Sequence, residues 1–232
     1  VEPGSISSPH TVSVLVPVYN EFETLGEVVH RLLAIAAVSE VVVVDDGSDS
    51  ERRFTLEGID DPRLVRLRHE RNCGKGAAIR TALERATGQI VVIQDADLEY
   101  APEEIPRLLI PLFAGDAEVV YGTRFANGSP QDTPIVRYLA NAILTKLSNW
   151  ATGLALTDME TGHKAFLRSA LETMRIEENR FGVEPEITAK LAKQGARFVE
   201  TPVTYAPRSY ADGKKIGIRD GLRALWCILR YR

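Results

Sequence analysis

Residues 90–99, Ile90-Val91-Val92-Ile93-Gln94-Asp95-Ala96-Asp97-Leu98-Glu99, decide the fold. Four consecutive β-branched residues predict a strand covered on both faces, because strands of a parallel sheet sandwiched between helices are continuously apolar. Two carboxylates, one residue apart, follow where that strand ends. Open α/β sheets bind ligands at the carboxyl ends of their strands. In extended backbone Asp95 and Asp97 project to the same side. Such a pair repels itself unless a cation lies between the two groups, and a divalent ion with hard oxygen ligands is the simplest one. Glu99 stands as a third ligand or as a partner behind the first two. A solvated acidic turn is the plainer reading of the same residues.

Working outward, strands and helices alternate. Residues 12–18 predict a strand, and 23–36 carry helical spacing (Leu25, Val28, Val29, Leu32, Leu33). Residues 40–44 form a second strand, 64–67 a third and 118–121 another, with helices at 75–86 and 101–114. Helical patterns follow at 135–150 and 184–192, then a strand at 197–203. This βαβ alternation predicts a mostly parallel, doubly wound, Rossmann-like sheet flanked by helices. In the last segment Ile218, Leu222, Leu225, Trp226 and Leu229 share one helical face, while Arg219, Arg223 and Arg230 share another. Two readings follow: a terminal helix docked on the core, or a helix lying on an anionic membrane surface.

The chain has 232 residues, enough for one domain with a substantial core. A net charge of -4 lacks the basic footprint of a nucleic-acid binder. Cys73 and Cys227 are far apart in sequence and in no metal-ligand spacing, so a reducing, cytoplasmic setting is expected. Residues 1–10 have neither the charged region nor the apolar core of a signal peptide. No apolar stretch reaches the roughly 18–20 residues of a membrane span. Residues 135–156 are interrupted by Arg137, Asn141, Lys146 and Asn149 and read as amphipathic.

The remaining chemistry lies in loops after strands. Tyr19 and Glu21, beyond Pro17, suit clasping a nucleobase and bonding its edge or the ribose; a plain strand-to-helix turn is the alternative. Asp45-Asp46-Gly47-Ser48 either accepts from a base or ribose hydroxyl or closes the strand as an Asx turn. Lys75, between Gly74 and Gly76 at a helix start, favours an anion. The spacing there is not that of a Walker loop, and no Gly-x-Gly-x-x-Gly follows the first strand. Arg124, Arg208, Lys214 and Lys215 together suit phosphate, with arginine as a fork and lysine as a point charge. In the 158–164 segment, Asp158 or Glu160 suits general-base work on an acceptor hydroxyl, or else ordering of the loop. His163 has no companion ligand in sequence and reads as structural or substrate-contacting.

Taken in order, Val16-Pro17-Val18-Tyr19-Asn20-Glu21, Val44-Asp45-Asp46-Gly47-Ser48, Asn72-Cys73-Gly74-Lys75-Gly76, Gln94-Asp95-Ala96-Asp97-Leu98-Glu99, Gly122-Thr123-Arg124 and Arg208-Ser209-Tyr210-Ala211-Asp212-Gly213-Lys214-Lys215 resemble family 2 glycosyltransferases. Within them the chain is most similar to the dolichyl/polyprenyl-phosphate sugar synthase branch. The resemblance implies a single GT-A domain, with a nucleotide-sugar part over 11–125, an acceptor part over 126–215 and a basic amphipathic helix over 216–232. It implies nucleotide-sugar contacts from Pro17, Tyr19, Glu21, Val44, Asp46, Lys75, Asp95, Ala96 and Asp97. It implies Mg2+ or Mn2+ on Asp95, Asp97 and Glu99. It also implies that Arg124, Arg208 and Lys214 hold the donor diphosphate and the acceptor phosphate. Many members carry Gln at the position of Glu99. The branch's commoner Asp-x-x-Ser-Gly-Phe-Arg pattern is altered here by Glu160, His163 and Lys164, which leaves the acceptor and the donor sugar open.

The expected reaction is inverting, single-displacement transfer of a hexose from a nucleotide-sugar, UDP favoured over GDP by the resemblance, to a polyprenyl phosphate at the cytoplasmic membrane face. An ionised lipid phosphate needs no general base; a hydroxyl acceptor needs one, and Asp158 or Glu160 is the candidate. The alternatives are a soluble transferase acting on a saccharide, protein or secondary metabolite, and a non-catalytic sugar-nucleotide scaffold.

Overall fold

In the computed structural model, which describes residues 10–49, 56, 58–125, 135–207 and 218–232, β1 runs over Val12–Val18 with every residue buried. It lies parallel to and between β2 (Glu40–Asp45) and β4 (Ile90–Ile93), pairing Val14 with Val41 and with Val92. β3 (Leu64–Arg68) extends the sheet beyond β2. With β5 (Val119–Thr123), β6 (Lys164–Leu167) and β7 (Phe198–Pro202) the order is β3-β2-β1-β4-β6-β5-β7. Fully burying a Val or Leu side chain contributes about 1.5–3 kcal/mol, and ordering a residue's backbone costs about 1–2 kcal/mol. A strand covered on both faces recovers that cost at each position, which is why the central strands are unbroken apolar runs.

Alternate side chains serve two cores. Val12, Val14, Val16, Val41, Val43, Ile90 and Val92 pack against α1 (Phe22–Leu33) and α3 (Ile105–Phe113). Leu15, Val42, Val44, Val91 and Ile93 pack against α2 (Lys75–Arg85) and α6 (Val183–Lys193). The crossover through α1, from β1 to β2, and that through α2, from β3 to β4, thus lie on opposite faces of the sheet. That opens a crevice at the carboxyl ends of β1 and β4, the switch point of such a sheet.

The sheet departs from the sequence expectation at β6, which is antiparallel to both β4 and β5. Lys164 hides this strand in the sequence, since a charged residue marks a loop. Here its stem is buried, its Nζ donates to the carbonyls of Met159 and Thr161, and it lies 4.3 Å from the centroid of the Tyr121 ring. A short α5 (Arg168–Glu172) follows it.

The terminal helix α7 (Ile218–Tyr231) is docked, but by a different face from the apolar one read in the sequence. Ala224, Cys227, Ile228 and Tyr231 are buried, while Leu222, Trp226 and Leu229 face outward. The docking residues fall at i, i+3, i+4 and i+7, but two of them are an alanine and a cysteine, so the larger outward side chains dominate the pattern. Arg223 is forked onto Glu178 at 2.8 and 2.9 Å, and Arg230 reaches Glu177 at 3.4 Å. Both side chains stay half exposed while bridging to these carboxylates. The side chains of Ile218 and Arg219 lie outside the described residues, as do Arg208, Lys214 and Lys215.

The start of α2 is pressed against the 178–179 backbone. A Cβ on Gly76 would sit 2.1 Å from the Glu178 carbonyl oxygen, and Ala77 N–H donates to the Asn179 carbonyl at 3.1 Å. Gly76→Ala is expected to lower stability by about 1–3 kcal/mol, the usual cost of overpacking, read as a lower urea midpoint at unchanged slope.

Candidate functional site

The loops after β1 and β4 build the two sides of the crevice. Asn20 takes the left-handed conformation (φ 56°), which asparagine tolerates better than most residues. Its N–H donates to Ser48 Oγ at 2.9 Å and its side chain exchanges hydrogen bonds with Asp49. The strand-end turn of β1 is thereby stitched to that of β2, with Tyr19 and Glu21 on the cleft wall. After β4, the buried Gln94 amide donates to the carbonyls of Asp95 and Tyr100, folding residues 95–100 into a loop. Thr24 Oγ1 donates to the Ala96 carbonyl at 2.6 Å, and Leu98 adopts a positive φ of 58°. Asp95, Ala96, Asp97 and Glu99 all line the cleft.

Lys75 stands at its centre. Its ammonium lies 2.9 Å from Asp95 Oδ1 and 3.0 Å from Glu184 Oε1. Burial opposes its charge, and the two carboxylates overcome that and hold its pKa above the ordinary lysine range. Opposite, Arg124 Nε and Nη2 fork onto the two oxygens of Asp158, each at 2.6 Å. Asp158 is fully buried and also accepts from Asn141 and from the Arg124 N–H. The guanidinium lies 5.0 Å from the Tyr205 ring centroid. The cleft holds about 400 Å³.

Pro17, Tyr19, Glu21, Asp46, Lys75, Asp95, Ala96, Asp97, Glu99, Arg124 and Glu160 are brought together on its walls. Val44 is not: its side chain belongs to the core beneath. Asp158 is off the wall, behind Arg124. Asp46 is buried and accepts from the N–H groups of Cys73 and Gly74 at 2.9 and 2.7 Å and pairs with His69 Nδ1 at 2.6 Å. It fastens the loop before α2, while Asp45 closes the strand-end turn through Ser48 N–H. Among the described residues the oxygens of Asp95, Asp97 and Glu99 are not drawn into one three-ligand cluster. Lys75 holds Asp95, and Tyr205 OH donates to Glu99 Oε2 at 3.0 Å. Asp95 and Asp97 still offer hard oxygen donors to the same cleft. A Cβ at Gly162 would fall 2.2 Å from Asp95 Oδ2, so glycine there makes room for that carboxylate.

Sequence reasoning missed Tyr100, Arg180, Phe181, Glu184, Tyr205, Asp220, Gly221 and Ala224, all on the cleft wall. Glu184 had one legible signal, an acidic residue in the first turn of a helix. The others come from distant elements and carry no local pattern.

A model of glycosyl transferase family 2 matches residues 13–175. The undecaprenyl-phosphate 4-deoxy-4-formamido-L-arabinose transferase of Pseudomonas fluorescens is 33% identical over 212 residues, 88% of this chain and 60% of that enzyme. Glycosyltransferase AglJ of Haloferax volcanii is 30% identical over 92% of this chain and 69% of its own length. The chain therefore spans about three-fifths to two-thirds of these relatives. Among solved structures, glucosyl-3-phosphoglycerate synthase of Mycobacterium tuberculosis, in complex with Mn2+, UDP and phosphoglyceric acid, superimposes with a TM-score of 0.73 at 20% identity. That match covers 96% of this chain and 78% of the other.

His163 is fully buried beside Tyr100, ring centroids 5.6 Å apart, and neither ring nitrogen has a hydrogen-bond partner among the described residues. Burial pulls its pKa down from 6.5 to about 4. The unfolded chain therefore binds the extra proton first, and stability present above pH 6.5 is lost as pH falls towards 4. His163→Phe, which keeps the ring and removes two unpaired polar atoms, is expected to gain about 1–3 kcal/mol at pH 7 and to flatten this acid limb, as measured by chemical denaturation from pH 7 to 4.

Proposed function

The chain belongs to glycosyl transferase family 2, and on that premise we propose that its cleft transfers a hexose from a nucleoside diphosphate sugar to a polyprenyl phosphate. The transfer is a single displacement that inverts the anomeric carbon. One observation carries the choice of acceptor. A hydroxyl acceptor needs an ionised base, yet Asp158 has both oxygens forked onto Arg124. Burial and the nearby Glu184 charge push the Glu160 carboxyl well above the usual carboxylate range. A phosphate monoester is already ionised at neutral pH and needs no base.

The surroundings of the cleft support a lipid. α4 (Ile135–Thr152) gives Leu144 to the cleft wall, and α7 gives Asp220, Gly221 and Ala224. The same two helices expose Ile135, Val136, Leu139, Ile143 and Trp150, and Leu222, Trp226 and Leu229. Large apolar side chains left exposed on two helices that pack together suit a membrane or partner contact. Among the described residues no helix is long and apolar enough to cross a membrane, so the reading is of helices lying on the bilayer surface, with the lipid phosphate entering beside them. The named arabinose transferases act on undecaprenyl phosphate, in keeping with this.

The chain's own groups have these roles. Tyr19 and Glu21 receive the nucleoside. Lys75 and Arg124 stabilise the charge that accumulates on the leaving diphosphate and on the incoming phosphate, a preorganised electrostatic contribution. Asp158 positions Arg124, and Arg208 and Lys214 add charge for the acceptor. Asp95 and Asp97 would hold Mg2+ or Mn2+, which as a Lewis acid supplies charge neutralisation to the leaving diphosphate.

The test uses UDP- and GDP-hexoses radiolabelled in the sugar, with vesicles containing undecaprenyl phosphate or the neutral polyprenol, in Mn2+ or EDTA. Label is expected in the phosphate-bearing lipid alone, and Asp97→Asn is expected to lower kcat by on the order of a hundredfold or more. Equal transfer to the polyprenol, or to a soluble glycoside without vesicles, overturns the acceptor assignment. Undiminished turnover in EDTA overturns the metal assignment.

A further inference from the structure

Two carboxylate oxygens at this cleft have no hydrogen-bond partner among the described residues: Glu160 Oε1 and Glu184 Oε2, both shielded from solvent. Glu184 is more than nine-tenths buried, at 7% exposure, and both residues lie on the cleft wall. A buried acceptor left unmade costs about 1–3 kcal/mol, and more when it is charged. Two of them on residues that line one cavity mark a place where a ligand supplies the donors.

The charges around them say what kind of ligand. Glu184 uses its other oxygen on Lys75 at 3.0 Å. The buried Lys164 ammonium lies beneath the 159–161 backbone, where it feels both glutamates. Glu184 is thus paired with Lys75, and burial holds Glu160 towards its neutral form, so the two residues do not call for a further cation. They call for a neutral group rich in hydrogen-bond donors. Position narrows this further. Asp95 and Glu184 lie within 3.0 Å of the same ammonium, so the second carboxylate stands one lysine head away from the first. In the donor reading above, on which this inference rests, Asp95 marks the diphosphate, and the group next to a diphosphate is the sugar ring.

We infer that Glu160 and Glu184 are the receptor for the hydroxyls of the donor hexose and set which hexose is accepted. Glu160 comes from the loop before β6 and Glu184 from the first turn of α6. The two acceptors are therefore held by separate elements of the core and cannot adapt to a misplaced hydroxyl. A site built this way rejects an analogue lacking the bonded hydroxyl far more strongly than an apolar pocket would.

The experiment measures calorimetric affinities of the full chain for UDP, GDP, their hexose conjugates and the 2-, 3-, 4- and 6-deoxyhexose conjugates. Wild type, Glu160→Gln and Glu184→Gln are compared, each with a melting curve. Wild type is expected to bind at least one deoxy conjugate on the order of tenfold to a hundredfold more weakly than its parent. Glu160→Gln or Glu184→Gln is expected to bind parent and deoxy conjugate alike; in Glu160→Gln, which leaves the Lys75 pairing intact, affinity for the free nucleoside diphosphate is expected to stay within about twofold. Variants that discriminate among deoxy sugars as wild type does overturn the assignment, as does an equal loss for the free diphosphate in Glu160→Gln. If loss of the Lys75 pairing prevents Glu184→Gln from folding, Glu160→Gln decides alone. No binding of any nucleoside diphosphate by wild type overturns the donor reading itself, and this inference with it.

Discussion

The ion pair of Lys75 with Asp95 and Glu184 is the constraint on which the cleft depends. A single ammonium at 2.9 and 3.0 Å joins the end of β4, the start of α2 and the first turn of α6. Removing one partner of a buried pair leaves an uncompensated charge and typically costs about 3–5 kcal/mol. The three elements are therefore held in one relative position before any ligand arrives. Gly74 and Gly76 are part of the same arrangement, since side chains there would collide with the 178–180 segment and move the lysine away from its partners.

The 177–178 turn extends this arrangement outward. Glu186, fully buried, accepts from the N–H groups of Glu177 and Glu178 and from Lys190. Glu178 in turn receives the fork of Arg223 and the hydroxyl of Tyr231. α7 is thus fastened to the same segment that presses on α2. One helix then has three surfaces with three tasks: Ala224, Cys227 and Ile228 dock, Asp220 and Gly221 wall the cleft, and Leu222, Trp226 and Leu229 remain outside. Whatever covers the outer surface is mechanically close to the cleft.

The 158–164 segment shows how burial changes the meaning of a residue. In sequence Asp158 and Glu160 are two equivalent acids, one residue apart. In the fold Asp158 turns away from the cavity and is neutralised by Arg124. Glu160 turns towards the cavity and keeps an unpaired oxygen. Lys164, a loop residue by composition, opens a central strand because its charge is satisfied by two carbonyls and its stem by an aromatic ring.

The sequence by itself determined the layered architecture, because continuous apolar runs at 12–18, 41–44 and 90–93 have no stable arrangement other than strands covered on both faces. It also determined which loops line the cleft, since polar residues directly after such strands must emerge at one edge of the sheet. Tyr19, Glu21, Asp95 and Asp97 were legible for that reason. The tertiary structure decided the direction of β6, the docking face of α7, the placing of Val44 in the core and the pairing of Asp158 with Arg124. It also brought Glu184 and Tyr205 to the cleft from 91 and 112 residues beyond the end of β4. These are matters of which groups meet across long separations. A charged side chain's role depends on the partner it finds in a medium of low dielectric, and no local pattern along the chain carries that information.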